Sequence, residues 1–247
     1  MKSLYRVMVL AALVLPLAGC HLPGKPRLDA EDVRPDEVKD FTKLYASNCS
    51  ACHGSDGSNG PSIALANPVY QAIVSEDDLR KSIANGGPGK LMPAFAQSAG
   101  GMLTDAQVEV LVKGIHQRWY KPGYLEKQIP PPYKADVQGD GMRGQQSFQT
   151  YCVSCHSDVG GKKASGGSVT DRSYLALVSD QSLRNTIIAG RPDLGHPDWR
   201  SALQGHSMSD QEVTDIVTWM AAQRQADPTQ PGQGKEQPRN GGEETHE

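Results

Sequence analysis

Cys49, Cys52 and His53 stand in the order Cys-x-x-Cys-His, and 103 positions later Cys152, Cys155 and His156 repeat it. Two thiols spaced by two residues can each form a thioether with one vinyl group of the same porphyrin. The adjoining imidazole then lies beneath the ring as an axial iron ligand. This spacing is the attachment signature of haem c. One copy in 247 residues can arise by chance; two, each inside a repeat of the surrounding chain, leave little room for accident. The pattern predicts two covalently bound haem c groups with His53 and His156 as proximal ligands.

Each motif needs helices to hold it. Asp36 to Asn48 reads as a helix with Phe41, Leu44 and Tyr45 on one face, leading into the first motif. Ser75-Glu76-Asp77-Asp78 reads as a capping box opening a short helix that stops at Gly86-Gly87. Thr104 and Gln107 form a second box. Behind it Val108, Leu111, Val112, Ile115 and Trp119 make one buried stripe. The pattern then restarts. Arg143 to Tyr151 matches the first helix, with Phe148 in the role of Tyr45. Tyr174, Ala176, Val178, Ser179, Leu183, Arg184, Ile187 and Gly190 follow Tyr70, Ala72, Val74, Ser75, Leu79, Arg80, Ile83 and Gly86 at a constant offset of 104. Ser209 with Glu212 opens the last helix, and Val213, Ile216, Val217 and Met220 repeat the stripe. A slowly drifting offset with matching residue types marks an internal duplication.

The expected organisation is a leader at 1–19, a tether at 20–35, one repeat at 36–120, a linker at 121–139, a second repeat at 140–224 and a disordered tail at 225–247. Pro130-Pro131-Pro132 makes the linker extended. Hydrophobic residues are only 37% of the chain and aromatics 6%, thin for two cores unless a prosthetic group fills them. A net charge of −3 gives no reason to expect nucleic acid. Four of the five cysteines belong to the two motifs, so no pair remains for a disulfide. The fifth, Cys20, ends Leu17-Ala18-Gly19-Cys20 after a basic start and a short apolar run. That ending resembles a bacterial lipobox, which implies lipidation at Cys20 and anchorage to a membrane surface on the extracytoplasmic side.

Helix, Cys-x-x-Cys-His, loop, helix, ligand loop, helix, twice over, resembles the class I cytochrome c family in tandem. The resemblance implies an all-α fold of two tandem class I cytochrome c-like haem domains joined by the Pro-rich linker. It also implies a distal ligand loop, and Met92, before Pro93 and 39 residues after His53, matches the family's distal methionine. Pro61 matches the proline whose carbonyl accepts the proximal histidine's N–H; the second repeat lacks it, which puts that contact in doubt there. The second repeat departs again at the distal ligand, because the offset of 104 carries Met92 onto His196, with Pro197 opposite Pro93 and Trp199 opposite Phe95. We therefore expect bis-histidine ligation by His156 and His196, with Met208 as the alternative and His206 a further rival; Met102 rivals Met92 in the first repeat. His116 reads as solvated or partly packed, His21 and His246 are given no assignment, and Lys90, Lys162 and Lys163 read as solvated surface, with a charged docking rim near the haem edges as the alternative.

Iron closed on both sides leaves no substrate position, so the expected work is carriage of single electrons rather than catalysis. Methionine ligation favours ferrous iron and a higher potential than a second histidine, with axial ligands spanning roughly 0.8 V. The expected order is entry at the second haem and exit from the first, toward redox protein partners or a membrane respiratory complex. Two alternatives stand beside it: a di-haem redox enzyme, peroxidase-like or oxidising sulfur compounds, and a fixed cytochrome subunit of a respiratory or photosynthetic complex.

Overall fold

In each repeat a long C-terminal helix crosses an N-terminal one, and the crossing is set by where side chains are missing. The computed structural model describes residues 33–87, 91–157 and 165–224. Within them the order is α1 Phe41–Asn48, α2 Ser50–His53, α3 Pro68–Ile73, α4 Glu76–Asn85 and α5 Asp105–Trp119. The second repeat gives α6 Gly141–Tyr151, α7 Val153–His156, α8 Arg172–Leu177, α9 Asp180–Ala189 and α10 Asp210–Ala221. Short 3₁₀ turns at Gln97–Ala99 and Pro192–Leu194 sit at different places in the two repeats, the first after Met92 and the second before His196. No strand is present among the described residues, so the fold is all-α, as expected. The residues from Lys39 onward form one compact unit. The unit ending at Val38 contributes a 3₁₀ turn, Pro35–Glu37, with Arg34 paired to Glu37.

The first helix is shorter than its sequence pattern. Asp40 caps it by accepting from the Lys43 N–H, and the helix runs from Phe41 only. Asp140 does the same for α6 through the Met142 and Arg143 N–H groups. Both expected boxes form at α5 and α10: Thr104 with Gln107, Ser209 with Glu212. Ser75 caps α4, but Asp78 bonds the Ser75 hydroxyl and not its backbone N–H. Aspartate is one methylene shorter than the glutamate a box uses, and its carboxylate goes instead to Lys134 at 2.7 Å.

In the first repeat α1 packs on α5 through Phe41, whose ring fills the place a side chain at Gly114 would take, 2.0 Å from a built Cβ. In the second, α6 packs on α10 with Gly144 against the Asp215 carbonyl, 1.9 Å from a built Cβ. The missing Cβ thus lies on the C-terminal helix in one repeat and on the N-terminal helix in the other. Leu111, Val112, Val213 and Ile216 are fully buried along the two stripes, each contributing about 1.5–3 kcal/mol of transfer free energy. Phe41, Tyr45 and Trp119 form an aromatic cluster, and Phe148 meets Trp219 at 4.7 Å between centroids.

The linker opens in hydrogen-bonded turns from Lys121 to Gln128 rather than running extended throughout, its Pro130–Pro132 stretch lies outside any helix, and it is bound along its length. Arg184, buried on α9, donates to the carbonyls of Pro132 and Tyr133, to Thr214 and to Asp210. Gln181 also donates to Tyr133, Lys134 reaches Asp78, and Arg200 bonds Gln128 and covers the Tyr124 ring. The linker therefore fixes one repeat against the other.

Candidate haem-binding site

Both Cys-x-x-Cys-His motifs fold as a single helical turn, α2 and α7, reached directly from the preceding helix. His53 Nδ1 lies 2.9 Å from the Ile63 carbonyl, and His156 Nδ1 lies 2.9 Å from the Gly167 carbonyl. A carbonyl only accepts, so Nδ1 carries the hydrogen in each ring and Nε2 keeps its lone pair for a metal. The partner expected for His53 was Pro61; the chain turns so that the carbonyl two residues later faces the ring, while Pro61 lines the cavity. The second repeat needs no proline for the same bond. Burial, opposed by the Ile63 bond and aided by the nearby Arg191 charge, lowers the proton affinity of His53. A neutral imidazole is the form that binds iron.

None of the four motif cysteines is paired in a disulfide. Burial, then the neighbouring Cys52, pushes Cys49 up to about 11; burial, then Cys155, pushes Cys152 up to about 12. Before any haem is attached, Cys49 and Cys152 would be protonated at neutral pH.

Met92 and His196 occupy one position in the duplicated loop. The Gly87 N–H donates to the Met92 carbonyl at 3.1 Å, and 104 residues on, the Arg191 N–H donates to the His196 carbonyl at 3.0 Å. Gly86, at φ +85°, backs onto Met92-Pro93-Ala94, and Gly190, at φ +66°, backs onto Pro197-Asp198. A built Cβ at either glycine comes within 2.7 Å of backbone, so the loop closes only with glycine there. Met92 and His196 both line the cavity. The His156 and His196 rings face each other with centroids 5.8 Å apart. Two imidazoles sharing one first-row metal, each about 2 Å from it, have centroids about 6 Å apart. His196 Nδ1 is buried and meets no hydrogen-bond partner. Burial, followed by the neighbouring His156, lowers its proton affinity.

The rivals fall elsewhere. Met208 is 4% exposed in the core, and its N–H donates to the Trp199 carbonyl as the Leu103 N–H does to Phe95. It occupies the place of Leu103 and is absent from the cavity lining. His206 pairs with Glu212, Met102 is 81% exposed, and His116 stacks on Tyr120. Cys20, His21, Lys90, Lys162, Lys163 and His246 lie outside the described residues. No helix among the described residues is long and apolar enough to cross a membrane.

The two sites open into one cavity of about 720 Å³, lined from the first repeat by Cys52, His53 and Met92 and from the second by Cys155, His156 and His196. Its walls are apolar, with Tyr70, Leu79, Ile83, Leu177 and Val178 among them. Paired thiols and tautomer-fixed histidines, with His196 beside His156 and Met92 on the shared cavity wall, fit haem c at both sites. A bound haem would supply one-electron chemistry; Cys49, Cys52, Cys152 and Cys155 would supply the thioether sulfurs, and the histidines and Met92 would be available as axial ligands along a largely apolar wall.

Residues 36–113 and 139–220 match the family described as cytochrome C oxidase, cbb3-type, subunit III, one match on each repeat. Among solved structures, the chain is 28% identical to the KustC0563 c-type cytochrome, over 33% of this chain and 99% of that one, with a TM-score of 0.29. It is 26% identical to the dihydro-heme d1 dehydrogenase NirN in complex with DHE, over 41% of this chain but only 20% of that one, with a TM-score of 0.28. A chain of the Kuenenia stuttgartiensis reducing HAO-like protein complex Kustc0457/Kustc0458 is 14% identical, over 76% of this chain and 99% of that one, with a TM-score of 0.42.

Proposed function

The chain belongs to the cytochrome C oxidase, cbb3-type, subunit III family, of c-type cytochromes that transfer electrons, and on that premise we propose that it carries two haem c groups and relays single electrons between them. His53 and Met92 ligate the first iron, His156 and His196 the second. Electrons enter at the His156/His196 site and leave from the His53/Met92 site, because thioether ligation favours the reduced metal more than a second imidazole does. The protein works on the extracytoplasmic side, held to the membrane by lipid on Cys20, and docks redox proteins or a membrane complex through small interfaces.

The observation that carries this reading is the His156–His196 pair, 5.8 Å apart, in a cavity shared with His53 and Met92. Iron closed on both faces is suited to electron transfer and leaves a di-haem enzyme without a substrate position. The test is a potentiometric titration of the haem-loaded wild type beside Met92→Ala and His196→Ala. Two one-electron waves are expected, with His196→Ala disturbing the lower and Met92→Ala depressing the upper. If His196→Ala disturbs the upper wave, the proposed direction is wrong.

The family description favours one further reading, a fixed cytochrome subunit of a membrane oxidase complex. Co-purification with other chains after extraction in mild detergent supports it; a monodisperse free protein supports the carrier.

A further inference from the structure

Arg191 stands apart from the duplicated pattern. Its counterpart in the first repeat, 104 residues earlier, is Gly87, so the arginine is no part of the shared haem-binding template. Its backbone and that of His196 bond in both directions, at 3.0 and 2.9 Å. Its side chain leaves its own repeat and donates from Nη2 to the Gly60 carbonyl at 2.7 Å. Gly60 lies directly behind the first motif, where a built Cβ comes 2.3 Å from the Cys52 oxygen and 2.7 Å from the His53 carbonyl carbon.

Asp193 holds the guanidinium in place at 2.7 and 2.9 Å, and itself accepts from the Asn59 N–H at 3.2 Å. Both side chains of the pair are at most 10% exposed. Arg191 lines the cavity shared by the two sites, and Asp193 is not in that lining. A run of hydrogen bonds thus leads from His196 through Arg191 to Gly60, whose backbone packs against the Cys52–His53 peptide.

We infer that Arg191 is a positioning residue that couples the two haem sites, holding His196 through its backbone and the backbone of the Cys52–His53 turn through Gly60. A change of charge at either site is consequently felt at the other. The inference rests on the two-haem reading above. A largely buried cation on the wall of the shared cavity favours the electron-rich state of each site, because burial leaves its charge less screened than in water.

The test uses the full-length, haem-loaded protein, with haem content, absorption and the midpoint potential of each site measured for wild type, Arg191→Gln and Asp193→Asn. Arg191→Gln is expected to retain both haems and shift both midpoint potentials downward; Asp193→Asn, which leaves the arginine uncompensated, shifts both upward. If Arg191→Gln moves the His156/His196 potential and leaves that of the His53/Met92 site at its wild-type value, Arg191 serves its own repeat alone and the inference fails. Should Arg191→Gln not fold, Asp193→Asn decides the same question, since a shift at one site only again overturns it. A wild type holding one haem sinks both the two-haem reading and this inference, whereas two haems with an unmoved first potential sinks the inference alone.

Discussion

His156 and His196 face each other with ring centroids 5.8 Å apart and planes inclined by 45°. One comes from a helical turn and the other from a loop 40 residues further on. Removing His196 therefore opens one face of the second site without touching the thioether cysteines or His156. His196→Ala is expected to keep its haem content but take up cyanide or imidazole at that site, seen as a shifted absorption band. Met208→Leu, a volume-conserving change in the core, costs less than about 1.5 kcal/mol and leaves the spectrum unchanged. A spectrum altered by Met208→Leu would reverse the ligand assignment.

The helix crossing in the second repeat predicts a sharp contrast between two glycines of α6. A methyl group at Gly144 meets the Asp215 carbonyl oxygen at 1.9 Å, and backbone cannot step aside. Gly144→Ala is expected to destabilise by at least about 2 kcal/mol despite its better helix propensity. Gly141 has nothing within 4 Å of a built Cβ, so Gly141→Ala is neutral or stabilising by up to about 1 kcal/mol. Denaturant unfolding of the two variants checks the order.

Arg184 is 3% exposed and joins the linker to α9 and α10. Truncation leaves the Pro132 and Tyr133 carbonyls and the Asp210 carboxylate short of a partner. Arg184→Ala is expected to cost about 3 kcal/mol. A loss of less than 1 kcal/mol in the same unfolding assay would mean that the linker is not held through this residue.

Glu212 gives a pH-dependent prediction. Burial disfavours its charge, but hydrogen bonds from Tyr151 and Ser209 outweigh it and hold the carboxyl at about 2, against an ordinary 4.5. Because the folded value is the lower one, its stabilisation is complete above about pH 4.5 and fades as pH falls toward 2. Glu212→Gln keeps the capping acceptor and loses the charge. It is expected to lie about 1 kcal/mol below wild type at pH 7, with the gap closing on acidification. A gap that stays constant down to pH 2 would exclude the linkage.

How much of this could be read from the residues depends on how local the cause is. The motif turns, the boxes at Thr104 and Ser209, and the stripe from Val108 to Ile115 are decided within one helix, and each stands where its residues put it. The equivalence of Met92 and His196 was legible from the offset alone, and the matching backbone bonds of Gly87 and Arg191 support it. The short helices α3 and α8 carry too few residues for a periodic signal. Arg184 and Lys134 tie the linker to the repeats and Arg191 ties one repeat to the other, over 52, 56 and 131 positions, and spacing in sequence says nothing about such partners. A cue for Arg191 did exist: it is a bulky cation where the first repeat has Gly87.

The central claim is that each iron is closed on both faces by side chains of this chain. Electron paramagnetic resonance of the oxidised full-length protein, with haem content determined on the same sample, tests it most directly. Two haems per chain and two low-spin ferric signals, one of them lost in His196→Ala, are the predicted result. A single haem per chain, or a high-spin ferric signal in the wild type, contradicts it.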